Sequence, residues 1–62
     1  MNGKFKLEFE TENAAFDFDE HLEVARILRQ VADSVEHGAR MGNCRDINGN
    51  KVGEFDLLES EE

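Results

Sequence analysis

The chain has 62 residues, of which 15 are acidic and 7 are basic, so its net charge is −8. A core this small leaves little material to enclose a deep catalytic cleft. A negative surface also disfavours direct binding to nucleic acid or to anionic membranes, because both require cations that displace counterions. The lone Cys44 cannot form an intramolecular disulfide, and no apolar run reaches the ~18 residues of a membrane span. We therefore expect one cytoplasmic domain over residues 1–62, without a membrane segment.

Residues 4–11 alternate between apolar and polar side chains, which is typical of a half-buried β-strand. Phe5, Leu7 and Phe9 share one face, which we expect to pack on the core. The charged side chains share the other face: Lys4, Lys6, Glu8 and Glu10.

Residues 12–18 form the predicted connection to a helix. This segment is too apolar for a freely solvated loop, so Phe16 is expected to pack under the helix. Asp17 and Asp19 both carry side chains suited to capping the helix N-terminus. Asp19 is preferred because it keeps the first helical turn clear of Phe18.

The helix has the strongest periodic pattern, with apolar residues at three- and four-residue steps from Leu22 to Val35. Gly38, directly after His37, is a good left-handed stop. At about 100° per residue, Ile27 lies at the margin of the apolar sector and Leu22 lies on its far side. We predict that both are exposed apolar positions available to a partner. The sector itself is the predicted core face: Val24, Ala25, Leu28, Val31, Ala32 and Val35.

Asn48-Gly49 predicts a β-hairpin, because both residues tolerate the positive φ of a type I′ turn. A two-residue loop would place Asp46 opposite Lys51, and longer loops starting at Asn48 stay open. Gly53 is a candidate β-bulge in the strand that follows.

These elements predict a β-α-β-β domain of the α+β class: a three-stranded antiparallel sheet, in the order 1-3-2, with one helix packed on one face. The proposed bulge would turn Val52 and Phe55 inward together. The ordered part covers about residues 4–57, and an acidic tail follows at 58–62. The predicted core consists of Phe5, Leu7, Phe9, Phe16, Ala25, Leu28, Val31, Ala32, Val35, Phe55 and Leu57, with Val24, Ile47 and Val52.

No residue pattern points to catalysis, a metal or a cofactor. Residues 46–50 resemble the start of a calcium loop, but Lys51 stands where that loop needs glycine and Leu57 where it needs a closing carboxylate. Hairpin chemistry explains the same residues. We predict no enzymatic activity, no cofactor and no metal site.

The histidines and the cysteine have ordinary structural interpretations. His21 and His37 lie about 24 Å apart along one helix, which is too far to share a site within one chain. We expect His21 to be a partly buried imidazole and His37 to interact favourably with the helix dipole. Cys44 is expected to be a buried structural thiol, since nothing in the sequence points to an activating base.

Acidic residues cluster between Glu8 and Glu23, where seven occur with no lysine or arginine among them. Solubility explains such a cluster, and so does docking onto a basic partner surface. The predicted partner-binding residues are six of these acids and the two exposed apolar positions: Glu8, Glu10, Glu12, Asp17, Asp19, Glu20, Leu22 and Ile27.

Several segments resemble short uncharacterised proteins encoded in bacteriophage and prophage genomes: FKLEF at 5–9, NAAF at 13–16, VARILR at 24–29 with VAD at 31–33, and DINGN at 46–50 with VG at 52–53. The resemblance implies an accessory phage protein in the cytoplasm of the bacterial host cell, and it brings no established activity or site residues. We therefore expect a non-enzymatic acidic protein that binds a host or phage protein, including one whose basic surface normally holds nucleic acid. The alternative is a homo-oligomeric structural or assembly protein, and a homodimer stays open.

Overall fold

The structure is a computed structural model that describes residues 3–59. In chain order, the elements are strand β1 (Gly3–Phe9), a short 3-10 helix (Ala14–Phe16), helix α1 (Glu20–Glu36), strand β2 (Met41–Arg45) and strand β3 (Lys51–Glu59). The three strands form one antiparallel sheet in the order β1-β3-β2. The predicted β-α-β-β order, the α+β class and the strand order are confirmed. Among residues 3–59, no helix is both long and apolar enough to cross a membrane.

Strand β1 pairs with β3 in a continuous register along all seven of its residues. Phe9 lies opposite Gly53, and a Cβ atom at Gly53 would overlap the Glu8 carbonyl oxygen and the Phe9 Cα atom. Only glycine therefore allows β1 to approach this closely. The strand ends two residues earlier than predicted, although the Glu10 N–H still donates to the Val52 carbonyl at 2.9 Å.

The β2–β3 hairpin has a three-residue loop rather than the two-residue loop considered first. Asp46 N–H donates to the Asn50 carbonyl at 2.9 Å, and Gly49 N–H donates to the Asp46 carbonyl at 2.9 Å. Gly49 has a φ of 88°, whereas Asn48 is not in the positive-φ region that a type I′ turn requires. Both alternatives are wrong: the loop is longer than two residues, and it begins at Ile47 rather than at Asn48, because the Asp46 carboxylate binds its backbone N–H groups.

A bulge next to Gly53 changes which side chains of β3 face the core. Gly53 pairs with Cys44, but the next pair along the hairpin skips Val52. Val52 therefore packs against the core although Phe55, three residues later, is also buried. This confirms the predicted inward turn of both residues.

Local signals set both ends of α1. Asp19 is the N-cap residue, as preferred, although its side chain makes no capping hydrogen bond. At the other end Gly38 has a φ of 106°, and its N–H donates to the Val35 carbonyl at 3.0 Å. The Ala39 N–H donates to the Ser34 carbonyl at 2.9 Å. These two bonds form the glycine-terminated stop predicted after residue 37.

Helix α1 is rotated about its axis relative to the predicted core face. Its buried residues are Glu23, Ile27 and Val31, which follow one another at steps of four, and Ile27 is 0% exposed. Leu28 is 43% exposed and Ala32 is also exposed, so placing these two in the core was wrong. The rotation follows from drawing Glu23 inward, because residues four apart share one side of a helix. The buried core consists of Phe16, Ile27, Val31, Cys44 and Phe55.

Other assignments near the edges of the domain also change. Phe16 is buried, as predicted, whereas Phe5 and Ile47 are exposed and their placement in the core was wrong. Phe5 lies on an edge strand that no further strand within residues 3–59 adjoins, and Ile47 is the first residue of the hairpin loop. Strand β3 continues through residues 58 and 59, which had been assigned to the tail. The rest of the predicted tail, residues 60–62, lies outside the described residues.

Candidate functional site

An ion pair between the buried Glu23 and the half-buried Arg26 ties the first turns of α1 to the hairpin. Glu23 Oε1 accepts a hydrogen bond from Arg26 Nε at 2.9 Å, and Glu23 Oε2 accepts from Arg26 Nη2 at 3.1 Å. Oε2 also accepts from the Ile47 N–H at 2.9 Å, and Arg26 Nη2 donates to the Arg45 carbonyl at 2.9 Å. The bond from Arg26 lowers the pKa of Glu23 more than burial raises it, and the same bond raises the pKa of Arg26. Both side chains are therefore charged at neutral pH.

Asp46 links the hairpin loop to the connection before α1. Its Oδ1 accepts from the Asn48 N–H at 2.9 Å and from the Asn50 N–H at 2.8 Å. Its Oδ2 accepts from Asn13 Nδ2 at 2.7 Å and from Asn50 Nδ2 at 3.2 Å. Burial raises the pKa of Asp46, but these hydrogen bonds together outweigh burial and lower it. Since N–H groups surround both oxygens, the carboxylate closes the hairpin loop rather than presenting a cation site.

The segment from Asn13 to Glu23 is held at both ends by hydrogen bonds to the hairpin. Asn13 Oδ1 accepts from the Ala15 N–H at 2.9 Å while its Nδ2 group holds Asp46. At the far end Glu23 binds the hairpin backbone. Among residues 3–59, every buried side-chain polar atom has a hydrogen-bond partner. This polar network is structural, and it positions the segment that lies between its anchors.

That segment presents an aromatic side chain to solvent. Phe18 is 98% exposed, and Leu22, on the first turn of α1, is 64% exposed. An apolar residue just before an N-cap often packs on the residue at the fourth helical position. Here that position holds Glu23, which turns inward to Arg26, so this contact is not made.

Three exposed acids are close in the chain to these two apolar side chains. Asp17 and Asp19 flank Phe18 in the chain, and Glu20 begins the helix; all three are exposed. We name this surface the acidic knob, defined as Asp17, Phe18, Asp19, Glu20 and Leu22. It combines two exposed apolar side chains with three exposed carboxylates.

The other predicted site residues lie elsewhere. Glu8 is on the sheet face away from α1, opposite Glu54 of β3. Glu10 and Glu12 line a shallow surface depression together with Lys51. Ile27 is completely buried, so its prediction as an exposed contact was wrong. The predicted set therefore divides between the acidic knob and the region of β1.

Two features of this region were missed in the sequence. Phe18 was treated only as an obstacle to the first helical turn, although a charged residue at the fourth helical position signals that it lacks a packing partner. The Glu23–Arg26 pair has the three-residue spacing at which side chains on a helix meet. Its contact with the hairpin could not be inferred from that spacing alone, because the contact joins residues 24 positions apart.

The remaining candidate side chains have structural environments. Cys44 is buried as predicted, and burial raises the pKa of its thiol. His21 is exposed, contrary to the prediction, because the rotation of α1 moves it away from the apolar face. His37 follows the last helical residue, with its Nδ1 atom 2.8 Å from the Asp33 carbonyl oxygen. Within residues 3–59, no group of three or more His, Cys, Asp or Glu side chains is placed to hold a metal ion.

Comparisons with protein-family models, with curated proteins and with solved structures found no match. The residues and geometry of this chain alone therefore carry its functional interpretation. The resemblance to phage-encoded proteins stays a prediction.

Proposed function

We propose that this is a non-enzymatic binding protein whose acidic knob docks into an apolar pocket rimmed by basic side chains on a partner protein. The observation that carries the proposal is Phe18, which is 98% exposed between two aspartates. Aromatic side chains dominate the binding energy of many interfaces when they enter a desolvated pocket. Leu22, one turn further on, adds apolar area to the same contact.

Preorganisation of the acidic knob supports the proposal. The segment is anchored before Phe18 by the Asn13–Asp46 bond and after it by the Glu23–Ile47 bond. A contact segment held by its own chain loses less conformational entropy on binding. The knob is therefore suited to bind as a preformed surface.

The charge of the chain favours a basic partner. A net charge of −8 attracts a positive surface over a range set by the ionic strength, and acids around the apolar centre would pair with its rim. Proteins whose surface normally holds nucleic acid present such a positively charged surface. The phage resemblance would make the partner a host or phage protein in the bacterial cytoplasm.

Affinity capture from a bacterial lysate tests the proposal, with bound proteins identified by mass spectrometry. Phe18→Ala should lose the partner that the unmodified protein captures, because it removes the apolar centre and leaves every acid in place. Met41→Ala is the matched control, since Met41 is also an exposed apolar side chain but lies on β2. Equal capture by Phe18→Ala and the unmodified protein would contradict the proposal.

A further inference from the structure

An apolar groove lies between β1 and the C-terminal half of α1. Glu36 is its one charged lining residue, and the others are apolar: Phe5, Leu7, Leu28, Val31, Ala32 and Val35. Phe5 packs on Phe55 with a ring-centroid distance of 6.0 Å, yet it stays 44% exposed, and Leu28 across the groove is 43% exposed. No described residue covers this groove, and it is distinct from the acidic knob, which lies at the opposite end of α1.

The strand that borders the groove is also a free sheet edge. Among the described residues β1 pairs only with β3, so its other edge presents backbone N–H and C=O groups that no described strand pairs. Natural edge strands are commonly protected by proline, a bulge, short length or charged side chains, especially lysine. β1 carries charged side chains on one face, including Lys4 and Lys6, but it has seven residues with no proline, and its register with β3 is regular throughout. The other edge strand, β2, has only five residues and lies beside the bulge.

The charges on β1 match a second copy of the same strand. On the face of β1 away from α1 the order is Lys4, Lys6, Glu8, so the sign changes at Leu7, and Glu10 follows directly after the strand. If two β1 strands pair antiparallel about Leu7, Lys6 lies opposite Glu8 of the second copy, and continuing that pairing one residue past the strand would bring Glu10 of that copy opposite Lys4. The twofold symmetry repeats each of these pairs. Opposite charges facing each other across strands stabilise a sheet.

We propose that the protein forms a homodimer in which the two β1 strands pair antiparallel about Leu7. The two three-stranded sheets become one continuous sheet with both helices on the same face. On that face Phe5 lies opposite Phe9 of the second copy, which covers the open end of the groove. Pairing centred on Lys6 instead would place two lysines together at the twofold axis, which is less favourable.

Sedimentation across a range of protein concentrations tests the dimer. The unmodified protein should shift from monomer to dimer as its concentration rises. Glu8→Lys should weaken the dimer about tenfold or more, because two attractive pairs become repulsive. Within one chain the same change relieves the Glu8–Glu54 opposition, so the melting temperature of the monomer should not fall. The difference in dimer affinity between the unmodified protein and Glu8→Lys should become smaller at about 1 M salt, where charge pairs are screened.

Two further variants distinguish the loss of these specific charge pairs from a general effect of net charge on association. Lys6→Glu/Glu8→Lys exchanges both signs and should restore the dimer. Glu54→Lys makes the same change in net charge on the same sheet face, but it lies on the central strand. It should leave the dimer intact. Failure of the double variant to restore association, or an equal loss with Glu54→Lys, would overturn the proposal.

Cysteine cross-linking reports the register directly. Facing residues in antiparallel strands have Cα atoms about 4.5–5.5 Å apart, which suits a disulfide. Leu7→Cys should therefore form an intermolecular disulfide on oxidation, whereas Lys6→Cys should not. Cross-linking by Lys6→Cys alone would overturn the register about Leu7. A protein that stays monomeric at every concentration would overturn the dimer and leave the groove to a different partner.

Discussion

The two flanks of α1 differ: the flank toward β2 is closed, whereas the flank toward β1 is open. On the flank toward β2, Ile27 is completely buried and the Glu23–Arg26 pair binds the hairpin backbone. On the flank toward β1, Leu28 lies beside Ile27 in the chain yet is 43% exposed over the open groove. One helix does not cover a three-stranded sheet evenly. The polar network decides which flank is closed, and the other remains available for association.

The largest expected effect on the free energy of unfolding is the difference between substitutions at Ile27 and at Leu28, which lie on opposite flanks. Ile27→Ala should lower the free energy of unfolding by about 2–5 kcal/mol, because it leaves a cavity in the core. Leu28→Ala should cost roughly 1 kcal/mol, since much of that side chain is already in water. Urea denaturation at a protein concentration that keeps the chain monomeric measures both. Equal losses would contradict the observed rotation of α1.

Removing the Glu23–Arg26 ion pair should have the next largest effect on the free energy of unfolding. Arg26→Ala leaves the Glu23 carboxylate without its cation and should cost about 1–3 kcal/mol at neutral pH. Arg29→Ala, which changes the same type of side chain at an exposed position of α1, is the matched control. An equal loss from both would show that the pair does not hold this flank closed.

The same pair predicts a pH dependence with a definite sign. Because Arg26 lowers the pKa of Glu23 in the folded state, the folded protein binds fewer protons than the unfolded chain in that range. The stabilisation is present above the unfolded-state pKa, about 4.3, and it is lost as the pH falls through the lower folded-state value. The stability difference between the unmodified protein and Glu23→Gln should therefore shrink on acidification. Chemical denaturation at several pH values measures it, and a constant difference would contradict the role of the charge.

Loss of the anchor before the acidic knob should have a smaller effect. Asn13→Ala removes the bonds to Asp46 and to the Ala15 N–H, which should cost about 1–2 kcal/mol. Amide hydrogen exchange should also become faster around Phe18. Asn43→Ala, an exposed asparagine on β2, is the control. Unchanged exchange around Phe18 would show that the network does not position the acidic knob.

The smallest expected effect concerns the rate of partner binding. Asp17→Lys/Asp19→Lys should slow association several-fold, and the effect should weaken as salt rises. Glu61→Lys/Glu62→Lys changes the net charge equally at the C-terminal end of the chain. Association rates measured against the captured partner compare the two variants. Equal slowing by both would leave the acids of the knob as ordinary solvated surface.

Patterns within a few residues were sufficient to predict the elements of this fold. Alternation along β1, the left-handed stop at Gly38 and the hairpin signal at Asn48-Gly49 each depend on local backbone and side-chain preferences. Three strands and one helix of these lengths then have few compact arrangements, so the strand order also followed.

Contacts between distant residues decided the rest. The helix pattern predicted Leu28 in the buried sector and Ile27 at its margin, whereas the bond from Glu23 to residue 47 accompanies the burial of Ile27. Asp46 likewise selects the longer hairpin loop by binding its backbone N–H groups. The amino-acid sequence by itself determined the elements and their order, because those depend on local preferences. Only the tertiary structure decided the rotation of α1 and the open groove, because those depend on which polar groups meet across the fold.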